Sequence, residues 1–324
     1  MSEEQLVSHP CVSRYSMNPV LTSADVPFAS DLVFNAALIA YKDGDAMVFR
    51  NDYGYVKGSR FSGTNLGLAF SPDGIHWQVE EQPVVFVKND EIKRIYDPRL
   101  TVIDGEIYMT FAVDTRHGLR GGIAHTSDLR HFEILSMSVP DNRNMVLFPE
   151  KYQGMYMRLE RPMPVYSRGR DRFDIWWSES PDLIHWGNSR LVAGVEDFPF
   201  ANDKIGPGAP PILTEKGWLA VTHTVDIDPT RGKNGWEDQW TKRYCAGVML
   251  LDRNEPWKMI GCSRTPLLVP EADYETRNGF RNNVIFPTAA IPMPDGRLRI
   301  YYGAADTVIA MAEARIDDLI SLCE

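Results

Sequence analysis

Short apolar runs rich in Val, Ile, Phe, Tyr and Trp recur along nearly the whole chain, and tight turn pairs separate them. The clearest are ALIAYKDGDAMVFR, LTVIDGEIYMTFAV, PVYSRGRDRFDIWW, PILTEKGWLAVTHT and AAIPMPDGRLRIYYGA. A turn such as Asp-Gly between β-branched and aromatic runs is the strongest short-range hairpin signal, so each segment predicts a strand pair. Helical periodicity is nearly absent outside a short N-terminal stretch and the extreme C-terminus. A second pattern repeats beside the hairpins. GLAFSPDGIHW, GIAHTSDLRHF and WWSESPDLIHW each close on an aromatic residue (Trp77, Phe132, Trp186), with an aspartate (Asp73, Asp128, Asp182) just upstream. Weaker copies follow around Asn254 (GVMLLDRNEPWKMI) and Asp318 (AEARIDDLISL), giving five units at intervals of roughly 55 to 70 residues. Five such units predict an all-β, five-bladed β-propeller over residues 1–324, with no internal domain boundary. Segments such as KIGPGAPP then read as turns between blades.

A length of 324 residues allows one repeat-built fold or two ordinary domains, and the repeats decide for the first. Apolar residues make up 44% of the chain, but no uninterrupted apolar stretch is long enough to span a bilayer. The start MSEEQLVSHP has neither a basic nor an apolar leader region, so a cytoplasmic location is expected. Cys11, Cys245, Cys262 and Cys323 lack metal-site spacing and are expected to be reduced thiols, with no metal bound. A formal net charge of −10 argues against nucleic acid as a partner, and nothing points to a membrane. In so acidic a chain, a basic cluster inside a cleft would be informative.

In a propeller the innermost strands converge on one channel, and residues at equivalent strand ends meet there. The polar residues expected at those ends are Asn35, Asp97, Arg99, Arg161, Lys204 with Gly208, and Asn283 with Phe286, joined from second strands by Arg50, His223 and Asp306. Arg143 falls in a stretch that reads as a polar loop, whereas Arg161 and Lys204 read as beginning inner strands. Trp77, Trp176, Trp177 and Trp186 mostly recur where a blade needs packing, so blade core explains them better than sugar stacking does.

The motifs RYSMNPVL, YDPRLT, VLFPEK, RLERP, KIGPGAPP, VTHTV, FPTAAI and YYGAAD, in this order, resemble glycoside hydrolase family 130, the β-mannoside phosphorylases. The resemblance spans nearly the whole chain and implies a five-bladed propeller. It implies a reversible, inverting phosphorolysis that yields α-mannose 1-phosphate, with inorganic phosphate as co-substrate and no cofactor. An inverting hydrolase needs an acid and a base, whereas a phosphorylase needs only the acid, because phosphate is already a nucleophile. By position, the resemblance makes Asp97 the proton donor, acting through the 3-hydroxyl of the mannosyl unit. It makes Arg143, Arg161, Lys204 and His223 the phosphate site. Asn35, Arg50, Tyr244 and Asp306 become sugar contacts, and Tyr96 and Phe286 further substrate contacts.

The expected partners are therefore a β-mannoside and inorganic phosphate, with self-association as the family often shows. Chain length favours the branch acting on β-1,4-mannooligosaccharides or mannosyl-N-acetylglucosamine over the mannosylglucose branch. The segment from Ile227 to Tyr244 is where acceptor selection is expected. The alternatives are a hydrolase of the same family, a non-catalytic glycan-binding propeller, and another five-bladed glycosidase class with three channel acids.

Overall fold

Alternating apolar positions and tight turns fold the chain into five small antiparallel sheets, which the computed structural model describes for residues 6–57, 61–85, 87, 89–164, 169–231 and 241–324. The N-terminal strand β1 (Val12–Arg14) stands apart from the first sheet, which is formed by β2 (Leu32–Tyr41), β3 (Gly44–Tyr53), β4 (Gly63–Ser71) and β5 (Gln78–Val79). The second sheet contains β6 (Ile92–Ile103), β7 (Glu106–Thr115), β8 (Gly118–Thr126) and β9 (Glu133–Met137). The third contains β10 (Asn142–Leu147), β11 (Tyr156–Pro162), β12 (Ile175–Ser180) and β13 (Gly187–Ala193). In the fourth, β14 (Lys204–Pro207) and the short β15 (Ile212–Thr214) both pair with β16 (Gly217–Ile227), followed by β17 (Lys242–Leu251) and β18 (Met259–Cys262). The fifth contains β19 (Ile285–Pro292), β20 (Arg297–Ala304) and β21 (Val308–Arg315), and β1 closes it by pairing with β21. The sheets are the blades of a five-bladed β-propeller.

The apolar core is divided among the gaps between blades. Five clusters of buried residues each draw on two neighbouring sheets, for example Leu66 and Leu68 against Met109 and Phe111 between the first two blades. Equivalent clusters fill the other four gaps, the last joining the fifth blade to the first through Ala289, Tyr301 and Met311 against Val33, Met47 and Phe49. Each sheet therefore buries both faces, which closes the ring by the same apolar contacts that hold successive blades.

The repeated aspartate builds the turn after the third strand in the first four blades. Asp73 Oδ1 accepts the backbone N–H groups of Ile75 and His76, while Oδ2 lies 2.8 Å from His76 Nδ1. Asp128 with His131 and Asp182 with His185 repeat the arrangement. In the fourth blade Asp252 takes the same role by accepting from Asn254 and Glu255. Trp77, Phe132 and Trp186 then pack on the cores, and Trp177 is wholly buried.

Three expectations need correction. The copy around Asp318 forms no blade turn: Arg315 ends β21, and Ile316–Ser321 is a short helix, so the outer strand of the last blade comes from the N-terminus. In PVYSRGRDRFDIWW the second run holds, since Ile175 to Trp177 open β12, but its strand partner is β11, which ends at Pro162 ahead of the segment, and residues 165–168 lie outside the described set. Of the predicted N-terminal helix, residues 1–5 lie outside the described set, and residues 6–11 are not helical. Among the described residues, no helix is long and apolar enough to cross a membrane.

Candidate active site

The inner strands share a local irregularity that aims side chains into the channel. Pairing slips by one residue between Phe34 and Ala37 on β2, between Tyr96 and Arg99 on β6, and between Arg143 and Val146 on β10. The first residue inside each bulge is in the left-handed region: Asn35 at φ 52°, Asp97 at 53° and Asn144 at 56°. Asn and Asp tolerate this conformation better than other side-chain-bearing residues, which accounts for their choice here. Asp306 and Asn283 also have positive φ, in the turn after β20 and ahead of β19.

Asn35, Asp97, Asn144 and Asp306 converge on one small polar cavity in the channel. Asn35, Arg50, Tyr96, Asp97, Arg143, Arg161, Tyr244, Phe286 and Asp306 all line it, as the sequence pattern anticipates. Asn144, Arg281 and Val284 join them without having been anticipated. Asn144 had a readable signal, because RNM aligns with FNA and YDP at the same point of the inner strand. Arg281 had none, since it lies in the irregular segment before β19. Asn283, at the same end of β19, is not part of the lining.

Asp97 anchors the acidic side. Its Oδ1 accepts from Asn35 Nδ2 at 2.8 Å and from Arg50 Nη1 at 3.1 Å. Burial alone would raise its pKa, but the cations of Arg50 and Arg99 and the Asn35 hydrogen bond bring it below the usual carboxylate range. Asp306, paired with Arg281 at 3.1 Å, goes the other way, because burial outweighs its cations and Asp97 adds repulsion.

Arg143 and Arg161 stand on the basic side. They face each other as cross-strand partners on β10 and β11, so Arg161 belongs to a second strand, and Arg143 to an inner strand rather than a loop. Like charges directly opposite each other in a ladder are destabilising unless an anion lies between them. Neither arginine has a carboxylate partner within ion-pair distance among the described residues. Arg143 Nε and Arg161 Nε and Nη2 are buried without a hydrogen-bond partner. Burial and the adjacent Arg143 lower the proton affinity of Arg161.

Lys204 and His223 sit behind the lining rather than in it. The Lys204 ammonium lies 5.8 Å from the Tyr244 ring centroid and 3.6 Å from Asp203, and burial followed by Arg161 lowers its pKa. His223 is completely buried, 4.5 Å centroid to centroid from Phe286, with Nε2 3.4 Å from Asn144 Nδ2. Burial, then Arg161, Arg99 and Lys204, push its imidazole well below the ordinary range, which leaves it neutral. Gly206, its ladder partner, must lack a side chain, because a Cβ there would lie 2.3 Å from the His223 ring. Arg99 is also buried and spans from the second blade to the fourth, donating Nε–H to the Gly208 carbonyl at 2.5 Å. Residues 232–240 of the segment expected to select the acceptor lie outside the described set.

The site thus opposes two hydrogen-bonded carboxylates, Asp97 and Asp306, to a pair of uncompensated arginines, backed by a lysine and a neutral histidine. Residues 7–324 match the model of glycoside hydrolase family 130, described as beta-1,4-mannooligosaccharide phosphorylase. A beta-1,4-mannooligosaccharide phosphorylase from Ruminococcus albus is 34% identical, over 95% of this chain and 89% of its own length. A beta-1,2-mannobiose phosphorylase from Listeria innocua is 33% identical, over 80% of this chain and 68% of its own. The solved structure of beta-1,2-mannobiose phosphorylase from Listeria innocua in complex with beta-1,2-mannobiose superposes with a TM-score of 0.83 at 26% identity, covering 96% of this chain and 99% of that one.

Proposed function

Because the chain belongs to glycoside hydrolase family 130, we propose that it is an inverting β-mannoside phosphorylase, a glycosyltransferase-type enzyme that cleaves β-1,4-mannooligosaccharides with inorganic phosphate. The observation that carries this reading is the facing pair Arg143 and Arg161, with buried N–H groups that no protein acceptor meets. Two guanidinium groups with open donors suit a phosphate dianion, which accepts charge-assisted, forked hydrogen bonds. Water would leave both charges uncompensated. Lys204 supports the set as a nearby point charge, and neutral His223 supports it through Asn144.

Asp97 is the proton donor, with the proton passed to the leaving oxygen directly or through a sugar hydroxyl. In the empty site its carboxyl is ionised, held so by Arg50 and Arg99 against its burial. Phosphate bound at Arg143 and Arg161 offsets two of the cations that hold the proton off, so Asp97 becomes a better proton carrier when the nucleophile is present. Asn35, Arg50, Tyr96, Tyr244, Phe286 and Asp306 contact the sugars, no cofactor takes part, and the enzyme works in the cytoplasm as a self-associating protein.

The reaction is tested by incubating β-1,4-mannobiose, β-1,2-mannobiose and mannosyl-N-acetylglucosamine with the protein, with and without inorganic phosphate, under proton and phosphorus NMR. The expected product is α-mannose 1-phosphate, formed only with phosphate, and the reverse synthesis should run from that donor. Free mannose at the same rate without phosphate would establish a hydrolase instead.

A further inference from the structure

Arg50 is gripped from two sides. Its Nε and Nη2 donate to the two oxygens of Asp52 at 3.1 and 2.7 Å, and only Nη1 reaches Asp97. Asp52 is buried outside the cavity lining and collects two more donors: Thr64 Oγ1 at 2.7 Å and Arg94 Nη2 at 3.3 Å. Arg94 extends to Asp114 at 3.8 Å, and Asp114 accepts the Tyr96 hydroxyl at 2.7 Å. Alternating charge therefore runs from Asp97 through Arg50, Asp52, Arg94 and Asp114 to Tyr96, the residue that precedes Asp97.

We propose that Asp52 is the positioning residue of the proton-carrying carboxyl: by occupying the forked edge of Arg50, it leaves Asp97 a single guanidinium N–H on one oxygen and keeps Oδ2 open for a proton. Among the described residues, no protein donor is recorded at Asp97 Oδ2. A guanidinium freed from Asp52 would match the Asp97 carboxylate bidentately, and a bidentate pair fixes the ionised form, which donates no proton. The Arg50 ring contacts, 4.3 Å to Phe34 and 4.9 Å to Tyr96, hold the group in the plane where this partition operates. The other charged or titratable groups facing Asp97 are Arg99 on its own strand, Arg143 on β10, Arg161 on β11, Tyr96, and Asp306 after β20. Of these, Tyr96 meets Arg50 only through its ring and Asp306 acts on it without a hydrogen bond, so Asp52 is the carboxylate that occupies its forked edge.

The proposal rests on Asp97 being the proton donor, and its test separates the two ideas. Asp52→Asn removes the charge that occupies Arg50, so the alkaline limb of kcat for phosphorolysis, which reports the phosphate-bound complex, should move to lower pH by roughly half a unit or more, with KM for phosphate changed less than about twofold. Arg94→Gln frees Asp52 to hold Arg50 more fully, and the limb should move the opposite way. A purely structural role would lower activity at every pH without moving the limb. In parallel, the Asp97 carboxyl is titrated by carbon NMR in protein labelled at aspartate carboxyls, with Asp97→Asn identifying the signal. Its midpoint should fall in Asp52→Asn and rise in Arg94→Gln. This arm needs no turnover, so failure of every β-mannoside to react would end the phosphorylase reading while Asp52 is still tested. Unchanged limbs and midpoints in both variants would overturn the proposal. If Asp52→Asn fails to fold by circular dichroism, Arg94→Gln, at the partly exposed end of the network, decides by the sign of its shift.

Discussion

Asp97 lies at φ 53°, where a β-bulge on β6 turns its side chain toward Asn35 and Arg50. This geometry selects the informative substitution. Asn accepts the same backbone conformation and can still hydrogen-bond, so Asp97→Asn removes the ionisable group and its charge while the bulge is kept and Arg50 retains Asp52 as its partner. Phosphorolysis should fall on the order of 10²-fold or more while the melting temperature stays within a degree or so of wild type. Steady-state rates and a thermal melt check the pair of expectations, and near-normal turnover would take Asp97 out of the chemistry. Asn35 and Asp97 were legible at this scale as polar residues on apolar inner strands, whereas Tyr96, Arg143 and Tyr244 were reached through the family resemblance. Asn144 was legible only by aligning the bulges. Asp52 was hidden, since a buried carboxylate two residues beyond Arg50 on a strand carries no sequence mark distinguishing it from a solvated one.

At the scale of elements, the repeated Ser/Thr-x-Asp turn announced the first three blades because its aspartate satisfies two backbone N–H groups where the third strand ends. The closing strand was not legible, as three residues paired edge to edge leave no periodic pattern. Its anchor explains how so short a strand holds. Arg14, on β1, donates to Glu275 at 2.8 Å, and Glu275 is fully buried while also accepting from Tyr302 at 2.8 Å and from the backbone N–H groups of Glu271 and Ala272. Replacing Arg14 by Ala would leave that carboxylate buried without its cation, a change worth roughly 3 kcal/mol. Denaturant unfolding of Arg14→Ala should show a midpoint lowered accordingly, and amide exchange should be fastest in β21, the strand that β1 covers. A midpoint equal to wild type would mean that ring closure depends on the apolar core between the fifth and first blades alone.

Across the whole molecule, a chain of net charge −10 concentrates cations at its centre, and two of them, Arg143 and Arg161, hold buried N–H groups without a partner. The ring makes this possible, because five blades bring Arg99, Arg143, Arg161 and Lys204 together from three separate sheets, and the apolar gaps hold them there against their repulsion. Their mutual repulsion is therefore a source of instability that a bound anion relieves. Inorganic phosphate should raise the melting temperature in a concentration-dependent way, worth about 2.7 kcal/mol at a hundredfold excess over its dissociation constant. The decisive variant is Arg161→Met, which keeps the length of the side chain and removes one of the two facing charges. Without phosphate it should melt above wild type, since a buried, unpaired cation opposite Arg143 is gone. With phosphate its melting temperature should barely move, so the two proteins exchange order as phosphate is added. A stabilised protein that has lost its response to phosphate ties the strain of the empty channel to anion binding. If Arg161→Met instead melts lower than wild type at every phosphate concentration, Arg161 serves the fold, and the phosphate site must be sought elsewhere in the channel.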